Sequence, residues 1–225
     1  MAARVFVWLG GAIFATSLAL CGWCYASVMG RSLPAAGWAA IAADAALITV
    51  FAFHHSVFAR ERVKGRLSRT VPAPLLRSLY VWIASLLLIV VLLWWQPIGG
   101  EIYRATGPLA YTLMAVQLTG LLITARGVAW IDPLALAGIR PASAADGLQV
   151  AGPYHWVRHP LYLGWFLMVF GAAHMTGDRL AFAAMTSGYL VVAIPLEERS
   201  LRRSFGGDYD RYARDVRWRM IPFIY

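Results

Sequence analysis

Long apolar segments recur along this chain from one end to the other, and they limit the folds that it can adopt. A helix that crosses a bilayer needs roughly 20 mostly apolar residues. Only 14% of the residues are charged, whereas soluble domains carry about 25% charged residues. We therefore predict an all-α integral membrane protein, a single membrane domain over residues 1–225 with about six transmembrane helices. The predicted spans are Val5–Met29, Trp38–Phe58, Leu76–Trp95, Pro108–Ile131, Pro160–Thr176 and Leu180–Leu196.

Basic residues are distributed unevenly between the loops that join these spans. With six spans and a cytoplasmic N-terminus, only Arg31, Arg104 and Arg179 of the 20 Lys and Arg residues fall outside the cytoplasmic side. Cytoplasmic loops of membrane proteins carry an excess of Lys and Arg, so we expect both termini in the cytoplasm. The net charge of +9 is explained by this asymmetry and by attraction to anionic lipid. It does not indicate nucleic-acid binding, and no metal-ligand spacing of Cys and His is present.

The segment "VRHPLYLG" (157–164) places polar side chains at the start of an apolar helix. Pro160 suits the first turn of that helix, and His159 before it is biased toward extended geometry. The first turn is an anion site, to which Arg158 adds donors suited to a carboxylate. Tyr162 lies in the same turn, and Gly164 leaves space for a ligand near the backbone. Anchoring of these side chains in lipid headgroups is the alternative.

Two glutamates are expected to lie beside this segment. The turn "HMTGDR" (174–179) is short, so the helices on either side of it should be antiparallel and form a C-terminal hairpin. Glu197 and Glu198 would then lie close to Arg158 and His159. Such a group could hold a zwitterion, with the carboxylate of the ligand at the arginine and its ammonium at a glutamate. An ion pair between Arg158 and Glu198 that closes the hairpin is the competing interpretation.

The segments "RHPLYLG" (158–164), "EERSL" (197–201) and "FGGDYDRY" (205–212) together resemble the integral-membrane methyltransferases. These include isoprenylcysteine carboxyl methyltransferase, phospholipid N-methyltransferases and the bacterial methanethiol S-methyltransferase group. The resemblance covers residues 152–222 and implies S-adenosylmethionine as methyl donor, bound at the cytoplasmic ends of the last helices, with no metal. The cofactor-binding residues that it implies are Gly152, Pro153, Tyr154, Arg158, His159, Tyr162, Gly164, Glu197 and Glu198.

The N-terminal part, residues 1–131, is expected to serve the methyl acceptor. Residues 51–88 resemble a stretch H-S-x-x-A-R…V-P-x-x-x-x-R-S-x-Y of the methanethiol branch. One interpretation places His55 near the acceptor and Arg60 at the cytoplasmic opening, and the other treats His54 and His55 as polar residues of the membrane interface. The resemblance favours a small thiol as acceptor, and we expect a bacterial inner membrane as the location. A prenylated cysteine or an amino-lipid is the alternative acceptor. A membrane accessory or transport protein without enzymatic activity is the alternative class.

The tail after residue 196 carries a further helical pattern. Phe205, Tyr209, Tyr212 and Val216 recur at helical spacing, with arginines elsewhere. This pattern is typical of an amphipathic helix that lies in the membrane interface. We therefore expect a cytoplasmic amphipathic tail, which is also compatible with a cover over the cofactor site.

Overall fold

The computed structural model of the protein is largely helical and describes residues 1–58, 61–140 and 147–225, without the side chains of residues 61 and 62. Helices suit this apolar chain because a helix satisfies its backbone hydrogen bonds internally, as the hydrocarbon core of a bilayer requires. The elements are α1 (Ala2–Trp23) with a π-helical turn (Cys24–Val28), α2 (Trp38–Phe58), α3 (Glu61–Leu67), α4 (Ala73–Leu93), β1 (Glu101–Arg104), α5 (Gly107–Trp130), α6 (Pro133–Leu136), a 3₁₀ turn (Gly152–His155), α7 (Pro160–Phe170), β2 (His174–Thr176), α8 (Gly177–Phe205) and α9 (Gly207–Asp215).

Five helices within the described residues are long and apolar enough to cross a membrane. Their most apolar stretches have mean hydropathies between 1.4 and 2.3. The expectation of a mostly helical protein with several helices able to span a membrane is therefore confirmed, and of the six predicted spans five correspond to such helices. The five are Ala2–Val28, Trp38–Phe58, Ala73–Leu93, Gly107–Trp130 and Gly177–Phe205.

The predicted span Pro160–Thr176 does not form a spanning helix. Its helical part, α7, has 11 residues and is about 16 Å long, roughly half the thickness of the hydrocarbon core. Arg158 before α7 pairs with Glu198 near the end of α8, and Arg179 near the start of α8 donates to the carbonyl of His174. The chain from 158 to 174 therefore runs antiparallel to α8 over about 28 Å. A short helix followed by extended chain covers this distance, so the predicted hairpin forms with one irregular arm.

The extended part of this arm has its backbone groups bonded. The carbonyl of Ala172 accepts a hydrogen bond from Tyr103 Oη at 2.9 Å, and the carbonyl of Ala173 accepts one from the Ala105 N–H at 2.8 Å. β2 follows and pairs with β1. Non-helical backbone at membrane depth is tolerated only where protein satisfies its polar groups. These bonds explain why the helix can end at Phe170.

The chain forms two compact units, which are described separately. Unit 1 contains residues 1–101, the described part of 133–143, and residues 176–178. Unit 2 contains residues 102–132, the described part of 144–175, and residues 179–225. Helix α5, which the sequence-based division grouped with the N-terminal part (1–131), belongs to unit 2.

Unit 1 is held together by polar groups that are bonded inside apolar packing. Trp82 of α4 stacks on Phe6 of α1 and donates its indole N–H to the Phe6 carbonyl at 2.9 Å. The buried Asp178 accepts hydrogen bonds of 2.8–2.9 Å from the indole of Trp95 and from the N–H groups of residues 98 and 99. Asp44 of α2 accepts one from the N–H of residue 96 at 2.8 Å. Two buried carboxylates thus fix the loop after α4.

Candidate functional site

Polar residues at the start of α7 and near the end of α8 form one cluster in unit 2. Arg158 Nε donates to Glu198 Oε1 at 2.7 Å, and the two side chains are only 8% and 1% exposed. Arg219 Nε lies 3.2 Å from the other oxygen of Glu198, and His159 Nε2 lies 3.6 Å from Oε1. The Arg158–Glu198 ion pair, which the sequence left open as an alternative to ligand binding, is therefore formed. It joins the start of α7 to α8 and leaves Glu198 between two guanidinium groups.

The chain after α9 is bound to the start of α7, and we call residues 216–225 the tail strap. Arg158 Nη1 donates to the carbonyls of Val216 at 2.7 Å and Arg217 at 2.9 Å. The backbone N–H groups of residues 158 and 159 donate to the carbonyls of residues 218 and 219 at 2.9 and 2.8 Å. The hydrogen-bond donors beside the expected anion site, on Arg158 and on the backbone of residues 158 and 159, therefore bind carbonyl groups of the tail strap.

Tyr162 and the buried His159 surround Glu197, the more accessible glutamate of the cluster, and His159 Nδ1 lies 3.5 Å from Glu197 Oε2. The helix begins at Pro160, as the sequence predicts, and His159 before it has a non-helical backbone (φ −124°, ψ 66°) that is not fully extended. Tyr162 Oη donates to Glu197 Oε2 at 2.7 Å, and the ring of Tyr162 stacks on that of His159. The Glu197 side chain is 45% exposed, in contrast to Glu198. Of the two glutamates, Glu197 is the one that a ligand can approach from solvent.

The apolar face of α9 packs against protein, not against lipid. Tyr209 and Tyr212 are buried together with Val216, and partly buried side chains that include Leu201 and Phe205 pack against them. Tyr212 Oη also donates to the carbonyl of residue 154 at 2.7 Å. The predicted amphipathic pattern is therefore present, and its apolar face is buried against protein. This packing fastens the tail to α8.

The buried tyrosines around the cluster keep their protons. Burial raises the pKa of Tyr212 to about 12, although the nearby Arg158 acts in the opposite direction. Burial also raises the pKa values of Tyr154 and Tyr209 above their usual range, with Glu197 adding to the effect at Tyr154 and Glu198 at Tyr209. At neutral pH these phenols are therefore hydrogen-bonding groups and carry no charge.

Two of the glycines assigned to the cofactor motif are explained by packing within unit 2. A Cβ at Gly164 would lie 2.7 Å from the carbonyl oxygen of Gly120 in α5, so this glycine allows α7 to approach α5 closely. The space that the sequence assigned to a ligand is occupied by that helix. Gly152 has φ +60°, and a Cβ there would lie 2.6 Å from the indole of Trp130. Gly152 and the buried Pro153 thus begin the 3₁₀ turn that contains Tyr154.

The residues assigned to the acceptor lie in unit 1 or outside the described residues. Both ring nitrogens of His55 are within hydrogen-bond distance of Tyr80 Oη, at 2.8 and 2.9 Å. The guanidinium of Arg77 lies 5.6 Å from the centre of the Tyr80 ring. His55, Arg77 and Tyr80 are all positions of the pattern recognised within residues 51–88, and the fold brings them together. Arg60 is outside the described residues.

Several residues of the cluster escaped the sequence analysis. Arg219 was counted only as a basic residue of the tail, although it lies beside Glu198. The sequence pattern places Tyr209 and Tyr212 on the apolar face of an amphipathic tail that is compatible with a cover over the cofactor site, without identifying their contacts. Their place in the segment "FGGDYDRY" of the recognised pattern is the signal that indicates a role at the site.

The residues present fit the amino-acid part of S-adenosylmethionine. Tyr154 is 8% exposed, and its hydroxyl has no hydrogen-bond partner among the described residues. A buried polar group without a partner is costly, and a polar ligand would satisfy it. Glu197 acts electrostatically on the same phenol and remains accessible to a ligand ammonium group. Within the described part of the chain, no three His, Cys, Asp or Glu side chains are grouped to hold a metal ion.

Comparisons with known proteins point in the same direction. The model of the isoprenylcysteine carboxyl methyltransferase (ICMT) family matches residues 109–203. The methanethiol S-methyltransferase of Crocosphaera subtropica is 36% identical over 197 residues, which cover 82% of this chain and 76% of that protein. Methanethiol S-methyltransferase 2 of Bradyrhizobium diazoefficiens is 35% identical, over 79% and 71% of the two chains. The enzyme of that name from Mycobacterium tuberculosis is 32% identical, over 79% and 76%. No solved structure matches the chain.

Proposed function

The chain belongs to the isoprenylcysteine carboxyl methyltransferase family, and we propose that it is a membrane enzyme that transfers a methyl group from S-adenosylmethionine to a small thiol. The observation that carries the proposal is the buried cluster around Arg158 and Glu198, which lies inside the segment that matches the family. The choice of a thiol acceptor rests on the relatives named methanethiol S-methyltransferase.

The ammonium group of the donor is assigned to Glu197. Glu198 is almost fully buried and already faces Arg158 and Arg219, so a further cation gains little there. The Glu197 carboxylate is accessible, and the Tyr154 hydroxyl near it has a free hydrogen-bonding capacity. The other residues assigned to the cofactor site position Glu197 and Tyr154. They are Gly152, Pro153, Arg158, His159, Tyr162 and Gly164.

The protein contributes mainly binding, orientation and exclusion of water. The sulfonium of S-adenosylmethionine supplies an activated methyl group, so aligning it with the acceptor provides much of the rate enhancement. The buried side chains of Tyr209, Tyr212 and Val216 keep water away from the Arg158–Glu198 pair. Charge interactions become stronger where water is excluded. A thiol acceptor reacts as its thiolate, and the methyl group moves from the sulfonium to that sulfur.

His55 and Arg60 are proposed to act on the acceptor. The support for His55 is its hydrogen bond to Tyr80, since both residues belong to the pattern shared with the methanethiol branch. The phenol fixes the imidazole ring, and Arg77 beside the Tyr80 ring adds positive charge that favours a thiolate over a thiol. Arg60 retains its role at the cytoplasmic opening as a proposal from the sequence, as does the cytoplasmic position of both termini.

Donor-dependent methylation by the purified protein tests the proposal. The full chain in detergent would be given S-adenosylmethionine and, separately, methanethiol, longer thiols, a prenylcysteine analogue and an amino-lipid. We expect turnover of methanethiol, which rises with pH as thiolate forms. Turnover of the prenylcysteine or lipid acceptor alone would refute the thiol assignment. Absence of donor binding by calorimetry would refute the whole proposal.

The two glutamates provide a matched pair of variants for the cofactor site. Glu197→Gln removes the accessible carboxylate and should weaken donor binding by on the order of tenfold or more with little change in thermal stability. Glu198→Gln should lower thermal stability, because it leaves two guanidinium groups without their buried partner. The assignment of Glu197 is wrong if Glu197→Gln binds S-adenosylmethionine as tightly as the wild type.

A further inference from the structure

The tail strap ends in an apolar turn whose side chains are exposed. The N–H of Ile224 donates to the carbonyl of Ile221 at 3.1 Å, with Pro222 second and Phe223 third in the turn. Phe223 has φ +66°, a conformation that favours glycine and is uncommon for an aromatic residue. Phe223 and Ile224 are 85% and 79% exposed. A strained turn thus leaves two large apolar side chains mostly exposed.

This turn lies close to the start of the apolar helix α7. The ring of Phe223 is 5.3 Å from the ring of Trp218, and the carbonyl of residue 218 accepts the N–H of Arg158, two residues before α7 begins. Trp156, a further two residues back, is 67% exposed. The start of an apolar helix marks the boundary between hydrocarbon and headgroups, where tryptophan is enriched in membrane proteins.

The charge of the tail strap complements an anionic lipid surface. The strap contains no Asp or Glu, and of its two arginines Arg219 is paired with Glu198 while the exposed Arg217 is available to lipid. Each basic residue near a membrane that contains anionic lipid adds to the attraction. Apolar side chains combined with basic ones are the composition of segments that bind the membrane interface. The side chains concerned are Trp218, Phe223 and Ile224, which we call the tip.

We propose that the tip inserts into the anionic lipid interface of the membrane that holds the helices, and that this docking keeps the tail strap closed over the cofactor residues. The strap supplies the carbonyls of residues 216 and 217 to Arg158 and those of residues 218 and 219 to the backbone before α7. Release of the tip therefore loosens the contacts that position Arg158 and Arg219 around Glu198. A docked, closed strap should also slow the exchange of S-adenosylmethionine. This second part of the inference rests on the proposed function.

Site-specific labelling tests the docking without any need for donor binding. Both native cysteines, Cys21 and Cys24, are buried, so a thiol-reactive fluorophore would attach at an introduced Ile224→Cys. Asp215→Cys, at the exposed end of α9, is the matched control. In nanodiscs of phosphatidylcholine and phosphatidylglycerol, brominated lipid should quench the label at 224 and not the label at 215. Equal quenching at the two positions, or quenching at 224 that depends on protein concentration, overturns the docking.

A double variant tests the link to the cofactor. Phe223→Ser with Ile224→Ser should accelerate dissociation of S-adenosylmethionine by on the order of tenfold in the anionic nanodiscs, because two apolar side chains lose their lipid contacts. Asp215→Ser is the control, and the acceleration should disappear in detergent, where wild type and variant should behave alike. An unchanged dissociation rate in anionic nanodiscs overturns the link. Failure of the wild type to bind the donor instead refutes the proposed function, whereas the labelling result stands independently.

Discussion

Removal of the Arg158 guanidinium should destabilise the protein more than loss of any exposed ion pair. Arg158→Ala leaves the Glu198 carboxylate, which is 1% exposed, with Arg219 as its remaining arginine. It also leaves the carbonyls of Val216 and Arg217 without their donor. Breaking a buried ion pair costs about 3–5 kcal/mol, and the lower end is expected here because Arg219 still faces Glu198. For a chain of this size, about 3 kcal/mol lowers the melting temperature by about 6–12 °C.

Thermal unfolding in detergent measures the loss of stability. A separate hydrogen-exchange experiment on residues 216–225 measures the loosening of the tail strap. Arg202→Ala is the matched control, because Arg202 of α8 and Asp210 of α9 form a 3.0 Å ion pair with side chains 47% and 51% exposed. That variant should change stability by less than about 1 kcal/mol. Arg158→Lys should recover only part of the loss, since an ammonium group lacks the planar fork. Equal melting temperatures for Arg158→Ala and Arg202→Ala would refute the argument.

Three further predictions concern packing, pH and topology. Gly164→Val should lower the melting temperature by several degrees, because its side chain would collide with α5 at Gly120; unchanged stability would contradict the close approach. The pKa of Tyr212 is about 12 in the folded protein, against 10.0 when unfolded. Above about pH 10 the phenol therefore loses its proton first in the unfolded state. The free energy of unfolding should then fall by up to about 1.4 kcal/mol per pH unit. Chemical denaturation at about pH 9 and pH 11 measures this, and Tyr212→Phe should show a smaller fall. Cysteines introduced at Ser68 and Ser204 should be labelled from the same side of the membrane, and labelling from opposite sides would refute the proposed topology.

Local patterns were sufficient to predict the helical segments and the start of α7. Hydropathy located the apolar helices because each crossing needs a continuous apolar stretch. Pro160 marked the first turn of α7 because its missing N–H is tolerated only there. The proximity of Arg158 to Glu198 followed from one short turn and the antiparallel course that it imposes. The first two inferences depend on neighbouring residues alone, and the third needs only the short turn that joins the two arms of the hairpin.

Other properties depended on partners that are distant in sequence. α7 ends at Phe170, where extended chain with bonded carbonyls and then β2 follow, and hydropathy cannot indicate this change. The apolar face of α9 was evident from periodicity, but periodicity does not distinguish lipid from protein as the partner, and here Leu201 and Phe205 cover it.

The sequence by itself determined that this chain is a helical membrane protein with a polar cluster at the end of its last helices. The apolar composition of the helices makes them stable in a bilayer. The order of the motifs indicates the family. Only the tertiary structure decided how the two glutamates differ. Arg158, just before α7, and Arg219 of the tail strap both face Glu198, whereas Glu197 meets no arginine among these contacts and stays 45% exposed. Adjacent residues on one helix differ in this way because side-chain burial is set by the elements that pack around them, and those elements lie far away along the chain.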